Sequence, residues 1–400
     1  MTKKTKIKIC FISGSRSDYG IASFLLKKIK KTKRINLSLI ASCMHLSAEY
    51  GNTFKEIEKD GMKITKKIYL PVNTNKKKNW TKSAGIALTK FSNTLSDFKP
   101  DLVLLVGDRY ETFAAAFASL ILNIPVAHLH GGELTLSSID DSMRHSITKM
   151  SAIHFVSNEI YKKRVIQLGE NPKNIFTVGS LGVENVLKIK KFNKKEIEKK
   201  ININLNKNNL LVTFHPETID SRKLEKIIPI LIKHLKNLKN TNIVFTSPNS
   251  DPGNLLIKKV INNFCKHDRK KFIHLKSMGQ KLYFSYLRYC DAVIGNSSSG
   301  IIEVPSFCIP TINVGLRQQG RIKPPSVIDT NYSIKLFKKA LVKAYSKKFK
   351  DKIKKMKNPY FKKNSSDKIL KILINRKIIQ SKDLNKKKFY DIKKYGKNFS

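Results

Sequence analysis

The chain has 400 residues, and its 79 Lys and Arg against 29 Asp and Glu give a formal net charge of +50. A hydrophobic fraction of 40%, with 21 Phe and 13 Tyr, excludes a disordered polycation and is enough for two or three domains. No uninterrupted apolar run reaches the roughly 20 residues of a membrane-spanning helix. The basic N-terminus has no small-residue cleavage site after its short apolar stretch, so we do not expect a signal peptide.

The cysteines are scattered along the chain without CxxC spacing. This distribution argues against a disulfide framework and against a zinc ribbon, and it fits a reducing compartment. We therefore expect a cytoplasmic protein with no membrane partner. The cysteines are Cys10, Cys43, Cys265, Cys290 and Cys308.

The excess of positive charge first suggests a nucleic-acid partner. However, only eleven of the 79 basic residues are Arg, and the Lys are spread over predicted helix faces and loops. No RNP, zinc-finger, KH or helix-turn-helix signature accompanies them, so a solvated lysine surface is the favoured interpretation. Five Arg instead lie in polar, glycine-containing segments, where a planar guanidinium suits a phosphate or a carboxylate. They are Arg16, Arg109, Arg144, Arg317 and Arg321.

Short apolar runs alternate with amphipathic helical stretches in the first half of the chain. The runs predict strands at residues 7–13, 37–43, 102–106, 126–130 and 153–156. The stretches between them predict helices at residues 21–31, 80–98, 111–122, 142–151 and 159–168. Because the strands are apolar on both faces, they are typical of a parallel sheet that is covered by helices on both sides.

A Lys- and Asn-rich stretch at residues 188–209 interrupts this pattern and predicts a linker with a short helix. The alternation then restarts. Strands are predicted at residues 210–214, 243–246, 272–275, 292–294 and 311–314, with helices at residues 221–238, 255–264, 280–289 and 300–304. Residues 333–374 are predicted to be helical, and the Lys-rich tail from residue 380 is predicted to be frayed.

Two βαβ arrays joined by a linker predict an α/β protein with two Rossmann-like domains and a ligand cleft between them. We expect the N-terminal domain, residues 1–187, to hold the catalytic carboxylates. Residues 188–374 are expected to form a nucleotide-binding domain, whose last helices return to the N-terminal one. Residues 375–400 form the tail.

Acids, histidines and arginines are concentrated in three segments, which lie at the ends of successive predicted strands or at the start of a predicted helix. They lie in GDRYE (residues 107–111), HLHGGE (128–133) and DDSMRH (140–145). Since neighbouring parallel strands lie about 5 Å apart, Asp108 and Glu133 are expected to share a pocket, in which clustered carboxylates can divide into acid and base. A metal site is the alternative, but no HExxH-like spacing supplies a further ligand, so we expect no metal.

Four further segments have the composition of an anion-binding wall. GSRSDYG (residues 14–20) joins a strand to a helix and offers free N–H groups together with Arg16. GNSSSGIIE (295–303) does the same in the second half, and Glu303 is expected on the first turn of its helix, where a carboxylate suits ribose hydroxyls. His215 follows a strand, and Arg317 and Arg321 follow another.

Taken in order, these segments resemble the UDP-N-acetylglucosamine 2-epimerase family, and within it the hydrolysing branch of sialic-acid pathways. The resemblance spans residues 6–373. It rests on GSRSDYG, GDRYETFAAA, HLHGGE, IDDSMRHSITKMSAIHFVSNEIYKKRVIQLGE, FHPET, SPNSD, GNSSSGIIEVPS and NVGLRQQGR. It implies the two-domain GT-B architecture, no cofactor, a UDP-sugar as partner, and a homodimer or homotetramer.

The resemblance also assigns residues to roles. The catalytic group would be Asp108, Glu133, Asp140, Arg144 and His215. The group that binds UDP and the substrate would be Arg16, His45, Arg109, Asn249, Ser297, Ser298, Ser299, Gly300, Glu303, Arg317 and Arg321. Many relatives carry an acid in an HxE arrangement where this chain has His130, so the role of base is divided between Glu133 and Asp140.

The implied reaction converts UDP-N-acetylglucosamine and water to N-acetylmannosamine and UDP. Loss of UDP from C1 acidifies the proton on C2, a carboxylate removes it to give a glycal, and water then adds with inversion at C2. The same reaction on UDP-N,N'-diacetylbacillosamine, in a legionaminic acid pathway, is an alternative. A GT-B glycosyltransferase and a basic nucleic-acid-binding protein are the others.

Overall fold

A computed structural model describes residues 6–71, 77–219, 222–268, 271–381 and 383–392. The described chain forms two parallel sheets, one of seven strands and one of six, each with helices packed on its faces. Between the sheets lies a cleft to which both contribute strand ends. This is the α/β architecture of two Rossmann-like domains that the sequence predicts.

The first sheet is built by the N-terminal half of the chain. Its strands are β1 (Ile7–Ser13), β2 (Ile35–Ser42), β3 (Lys66–Ile68), β4 (Leu102–Val106), β5 (Val126–Leu129), β6 (Ile153–Val156) and β7 (Ile175–Thr177). Its helices are α1 (Arg16–Lys31), α2 (Phe54–Lys59), α3 (Lys77–Phe98), α4 (Tyr110–Ile121), α5 (Asp140–Met150), α6 (Glu159–Gln167) and α7 (Leu181–Lys188). The strand order is β3-β2-β1-β4-β5-β6-β7, so the winding direction reverses between β1 and β4.

The connecting helix α8 (Lys194–Ile201) leads to the second sheet. Its strands are β8 (Asn208–Thr213), β9 (Thr241–Thr246), β10 (Phe272–Leu275), β11 (Ala292–Gly295), β12 (Thr311–Val314) and β13 (Val327–Asn331). The helices that follow α8 are α9 (Arg222–Lys236), α10 (Asn254–His267), α11 (Gly279–Leu287), α12 (Ser299–Ile302), α13 (Ile334–Tyr345), α14 (Lys347–Lys354), α15 (Ser365–Leu373) and α16 (Arg376–Ile379). The order β10-β9-β8-β11-β12-β13 again reverses at its centre, between β8 and β11.

These two reversal points determine where a ligand can bind. At a reversal the connections leave a sheet in opposite directions, which opens a crevice beyond the carboxyl ends of the two central strands. The loops after β1 and β4 border one crevice, and those after β8 and β11 border the other. Gly295 ends β11 with φ of +132°, and a Cβ there would overlap the Thr213 carbonyl group of β8, so only glycine allows this close approach.

The last helices pack against the N-terminal half of the chain. Ile369 and Leu373 of α15 are buried in the same core as α1. Glu184 of α7 accepts hydrogen bonds from the backbone N–H and the hydroxyl of Ser366, at 2.8 Å and 3.0 Å. The chain therefore crosses between its two halves a second time, and this crossing restrains their relative position.

Most predicted elements agree with the observed ones, but helices α2 and α7 were not predicted, and the predicted helical region 333–374 consists of three separate helices, α13, α14 and α15. Four further differences concern strands, helix starts and one site residue. The short edge strands β3, β7 and β13 carry little hydrophobic pattern and were not predicted. Helix α1 begins at Arg16 rather than at residue 21, because Ser15 and Asp18 form a capping box. Strand β5 ends at Leu129, since His130 has φ of +69°. Glu303 follows the last residue of α12 instead of lying on its first turn.

The prediction of a frayed tail is wrong for the described residues 383–392. Lys387 contacts the Glu170 carboxylate at 2.7 Å, and the Tyr390 N–H donates to the Gly169 carbonyl at 2.9 Å. The Phe389 ring packs against Gly169, which has φ of +80° and no room for a Cβ. An ion pair, a hydrogen bond and ring packing thus hold the tail on the N-terminal domain. The Lys-rich composition of the tail gives no sign of these contacts.

We expect the tail to contribute to stability through Lys387. Lys387→Met removes a cation from the nearly buried Glu170 carboxylate, and it should lower the free energy of unfolding by about 1 kcal/mol. This corresponds to a thermal midpoint lower by about 2–4 °C. The exposed neighbour Lys388→Met is the control and should leave the midpoint unchanged. Equal midpoints for the two variants would mean that the tail does not hold this position in solution.

Candidate active site

The cleft between the two sheets contains a cavity of about 350 Å³, a size typical of small-ligand sites. Its wall unites most of the predicted residues. From the N-terminal domain come Arg16, Asp108, Arg109, Glu133, Asp140 and Arg144. From the C-terminal domain come His215, Asn249, Ser297, Ser298, Ser299, Glu303, Arg317 and Arg321.

Two predicted residues do not form part of this wall. His45 is fully buried behind it, where its ring nitrogens bond the Ser13 and Thr53 hydroxyls at 2.8 Å and 2.9 Å. Burial lowers the pKa of His45 to about 4, so the ring is neutral and joins β1 to the loop before α2. Gly300 packs α12 against β12, and its carbonyl accepts a bond from Thr311 at 2.7 Å. His45 and Gly300 were predicted to bind the substrate, but in the structure each contacts other residues of the protein instead of lining the cavity.

Arg144 organises the carboxylates of the N-terminal domain. Its guanidinium is 2% exposed and donates to the Asp108 carboxylate, to the Glu133 carbonyl at 2.8 Å and to the Thr135 hydroxyl at 3.0 Å. Burial alone would raise the pKa of Asp108, but the charges of Arg144, Arg321 and Arg317 outweigh it and lower that pKa. Asp108 therefore remains an anion at the wall of the cavity.

Glu133 is paired at both of its carboxylate oxygens. Oε1 lies 3.2 Å from Nδ1 of His130, and Oε2 is bound by Arg321 of the C-terminal domain. Burial opposes ionisation, yet Arg321, His130 and Arg144 together lower the pKa of Glu133 to about 2. An acid this strong is a poor base, so Glu133 is suited to fix its neighbours in place.

Asp140 is in the opposite situation. Its carboxylate accepts a bond from Ser138 at 2.9 Å, but the nearest guanidinium, that of Arg317, is 3.8 Å away. Burial, with the nearby charges of Asp108 and Asp251, raises the pKa of Asp140 to about 7. Of the three predicted catalytic carboxylates, Asp140 is thus the one that can exchange a proton near neutral pH.

Arg109 connects the two domains through hydrogen bonds of its guanidinium group. Its Nε donates to Glu111 at 2.8 Å, Nη1 to Asp251 at 3.2 Å and Nη2 to Ser250 at 2.8 Å. Arg109 lines the cavity, but each of these nitrogens already has a protein acceptor. The predicted diphosphate contact therefore competes with an ion pair that holds the domains together.

Another part of the cavity wall is suited to an anion. Arg16 is the first residue of α1, where free backbone N–H groups and the helix dipole favour negative charge. The Asn249 N–H donates to Nδ1 of His215 at 3.2 Å. Burial and the charges of Arg317 and Arg109 lower the pKa of His215, so its ring is neutral and carries its proton on Nε2. His215 is thus a hydrogen-bond donor rather than a base.

The structure adds three residues that were not assigned roles in advance. Glu217 holds the Arg317 loop: its Oε1 accepts from the N–H groups of Leu316 and Arg317 at 2.8 Å and 3.1 Å. Tyr283 lines the cavity and donates to the Ser299 hydroxyl at 2.8 Å. His130 lines it as well. Glu217 and His130 lie inside the motifs FHPET and HLHGGE, whereas no sequence signal pointed to Tyr283.

Across the described ranges, no group of three His, Cys, Asp or Glu is placed to hold a metal ion. Within the same ranges, no helix has both the length and the apolar character that crossing a bilayer would require.

Comparison with known proteins identifies the family. The model of the UDP-N-acetylglucosamine 2-epimerase family matches residues 27–374. The chain belongs to this family. This confirms the resemblance inferred from the eight motifs, and it identifies the chain as an enzyme of the UDP-sugar 2-epimerase type.

Three curated relatives indicate the branch of the family. The chain is 43% identical over 346 residues to a hydrolysing GDP/UDP-N,N'-diacetylbacillosamine 2-epimerase of Campylobacter jejuni, covering 86% of this chain and 89% of that protein. It is 40% identical to the polysialic acid biosynthesis protein P7 of Escherichia coli, covering 96% and 97%. It is 36% identical to a hydrolysing UDP-N,N'-diacetylbacillosamine 2-epimerase of Legionella pneumophila, covering 81% and 85%. The hydrolysing type is therefore confirmed.

Solved structures confirm the two-domain fold. The UDP-GlcNAc 2-epimerase of Neisseria meningitidis, bound to UDP-GlcNAc, is similar with a TM-score of 0.76 and 17% identity, covering 92% of this chain and 100% of that one. The Methanocaldococcus jannaschii enzyme with UDP-GlcNAc and UDP gives 0.74 and 21%, covering 92% and 99%. The GT-B-like architecture expected from the alternating strands and helices is correct.

Asp140 and Asp141 are adjacent but lie in different environments, so ionisation of the two carboxyl groups should have opposite effects on the free energy of unfolding. The pKa of Asp140 is raised, so its ionisation destabilises the fold as pH rises from about 4 towards 7. The pKa of Asp141 is lowered by bonds from His145 and the Thr135 N–H, so its ionisation stabilises the fold above about pH 4.

At pH 8, Asp140→Asn should therefore raise the thermal midpoint of the ligand-free enzyme by at least about 2 °C, and Asp141→Asn should lower it by a similar amount. The difference for Asp140→Asn should shrink towards pH 4, whereas that for Asp141→Asn should shrink only as pH falls below about 4. Calorimetry at the two pH values measures them. A lower midpoint for Asp140→Asn at pH 8 would contradict the inferred environment of Asp140.

Proposed function

We propose that the enzyme removes UDP from a UDP-linked 2-acetamido sugar and releases the free 2-epimer. The first candidate reaction converts UDP-N-acetylglucosamine and water to N-acetylmannosamine and UDP, for the biosynthesis of a sialic-type acid. The observation that carries this proposal is the composition of the cavity in the cleft. We call the part of its wall with the fixed anions and the proton-exchanging acid the carboxylate end, and the part with the cations and helix N-termini the cationic wall; the two meet where Arg317 lies 3.8 Å from Asp140.

The cationic wall is the proposed site of the diphosphate. Arg16 lies at the N-terminus of α1, and Ser297 and Ser298 precede α12. Nε2–H of His215 adds a neutral donor, and Glu217 fixes the loop that carries Arg317. These groups would stabilise the negative charge that develops on UDP as the bond from C1 to oxygen breaks. Asn249 and Ser299 complete this wall, and Glu303 is proposed for the ribose hydroxyls.

The carboxylate end is the proposed site of the hexose. Positive charge that develops at C1 as UDP leaves would be stabilised by Asp108, which Arg144 keeps ionised. Asp140 is the proposed proton-exchanging carboxylate at C2, since its pKa of about 7 allows both uptake and return of a proton. Glu133 and Arg321 form the ion pair that joins the two domains over this end.

The sugar itself has two candidates. The printed names of the Campylobacter jejuni and Legionella pneumophila relatives favour UDP-N,N'-diacetylbacillosamine, whereas the Escherichia coli relative is named for polysialic acid. Both sugars carry the acetamido group at C2 and UDP at C1, so the residues proposed above serve either. We further propose a cytoplasmic homo-oligomer; the exposed apolar side chains of Phe117, Leu120 and Ile121 on α4 support association.

Turnover of the two UDP-sugars in D₂O tests the reaction and the substrate together. With the correct sugar, NMR should show free 2-epimer that carries deuterium at C2, together with one UDP for each sugar released. We expect the preferred substrate to exceed the other by at least about tenfold in kcat/KM, because a pocket that hydrogen-bonds one substituent rejects a sugar that lacks it. Transfer to an added acceptor, with no deuterium at C2, would instead indicate a glycosyltransferase.

Variants should separate the two ends of the cavity. Asp108→Asn and Glu133→Gln are each expected to lower kcat by at least about 100-fold, with little change in the Kd of UDP, because they alter the hexose end. Arg16→Ala should weaken UDP binding by about tenfold to 100-fold, as expected for a lost charge-assisted hydrogen bond. The exposed Arg34→Ala serves as the control in calorimetric titration with UDP. Wild-type rates in both acid variants would refute the assignment of the hexose end.

A further inference from the structure

Inversion at C2 requires two proton-exchanging groups or one that reaches both faces of the sugar ring. One group removes the proton as UDP leaves, and a proton must then reach the opposite face of the glycal as water adds at C1. Asp140 supplies one such group. Asp108 and Glu133 are poorly suited to be the other, because Arg144 and Arg321 hold them as anions.

The arrangement around Glu133 points to its neighbour. Both carboxylate oxygens of Glu133 have protein partners, Oε1 in His130 and Oε2 in Arg321, and only 3% of its side chain is exposed, so Glu133 is placed mainly to hold these neighbours. A carboxylate on one ring nitrogen is the usual way to orient an imidazole and to stabilise its charged form. The chain Arg321–Glu133–His130 therefore ends in a ring whose other nitrogen, Nε2, is available to the cavity.

The backbone at His130 supports the same conclusion. Its φ of +69° is uncommon for a residue with a side chain, and it ends β5 abruptly. The His130 N–H donates to the Phe155 carbonyl at 2.9 Å, which holds this conformation. Unfavourable backbone conformations that are held in this way are concentrated at functional sites. Here the result is an imidazole that lines the cavity instead of continuing along the strand.

We propose that His130 is a catalytic residue that works with Asp140 as the second proton-exchanging group at C2. The inference rests on the proposed function and deepens it. His130 stands in the loop after β5 and Asp140 begins α5, so the two groups reach the cavity from different parts of its wall. The role assigned by sequence to Glu133 thus passes to the ring that Glu133 orients.

The proton and electron balance is complete without a further reagent. As the bond from C1 to oxygen breaks, its electron pair leaves with UDP. One of the two groups takes the proton from C2, and the pair of that C–H bond forms the C1–C2 double bond of the glycal. The other group, in its protonated form, gives a proton to the opposite face of C2, and the oxygen of water bonds to C1. The proton that water loses restores the group that donated, and the group that took the C2 proton releases it to the departing UDP or to solvent, so both groups return to their starting forms.

Three variants test this role. His130→Gln keeps a polar side chain of similar reach but cannot exchange a proton, so kcat should fall by at least about 100-fold. The Kd of UDP should stay within about threefold, since the diphosphate wall is unchanged. His130→Glu restores an acid–base group and should recover at least about tenfold of the lost kcat. The partly exposed His234→Gln on α9, outside the cavity wall, is the control and should retain wild-type turnover.

The outcomes separate this inference from the function on which it rests. Free 2-epimer from the wild type establishes the function, whatever the variants do. Once the wild type is shown to release the 2-epimer, two results would overturn the proposed role. One is His130→Gln turnover within about threefold of the wild type, and the other is equally low turnover in His130→Gln and His130→Glu. A wild type that converts neither UDP-sugar refutes the proposed function and, with it, the role of His130.

Discussion

Arginine side chains determine which carboxylates of the cleft stay ionised, and the rest of the site depends on this. A buried carboxylate is costly unless a positive charge and hydrogen bonds compensate for its lost hydration. Arg144 compensates Asp108, and Arg321 compensates Glu133. Asp140 has the more distant charges of Arg317 and Arg109 and two acidic neighbours, so its proton is held more tightly. Three acids in one cavity thereby differ in whether they can hold a proton near neutral pH.

Ion pairs in the cleft also hold the two domains together. Arg321 belongs to the C-terminal half of the chain and Glu133 to the N-terminal half, and Arg109 forms the reverse connection to Asp251. Separating the domains would break both pairs and admit water. The pairing of Glu133 is therefore complete only when the domains are together, and fixed charges act most strongly on a developing charge where water is excluded.

The fold was predictable from the sequence, because strands that are apolar on both faces and the helices between them dominate the hydrophobic pattern. Sequence reasoning also placed the carboxylates correctly at strand ends, as at Asp108 after β4. It could not rank them, because the ranking depends on Arg321, which lies almost two hundred residues from Glu133. The tail was misjudged for the same reason: Lys387 pairs with the distant Glu170. The local composition of a segment does not show which distant residue it pairs with. Nor does it show that a residue such as His130 has a left-handed backbone conformation.

The most direct test of this account is a carbon-13 NMR titration of the aspartate and glutamate carboxyl groups in the ligand-free enzyme. The signals of Asp140 and Glu133 would be assigned by their loss in single variants. The account predicts that Asp140 titrates near pH 7, whereas Glu133 remains ionised down to about pH 2. Titration of Glu133 near neutral pH, with Asp140 already ionised at pH 5, would contradict the division of roles imposed by the arginines.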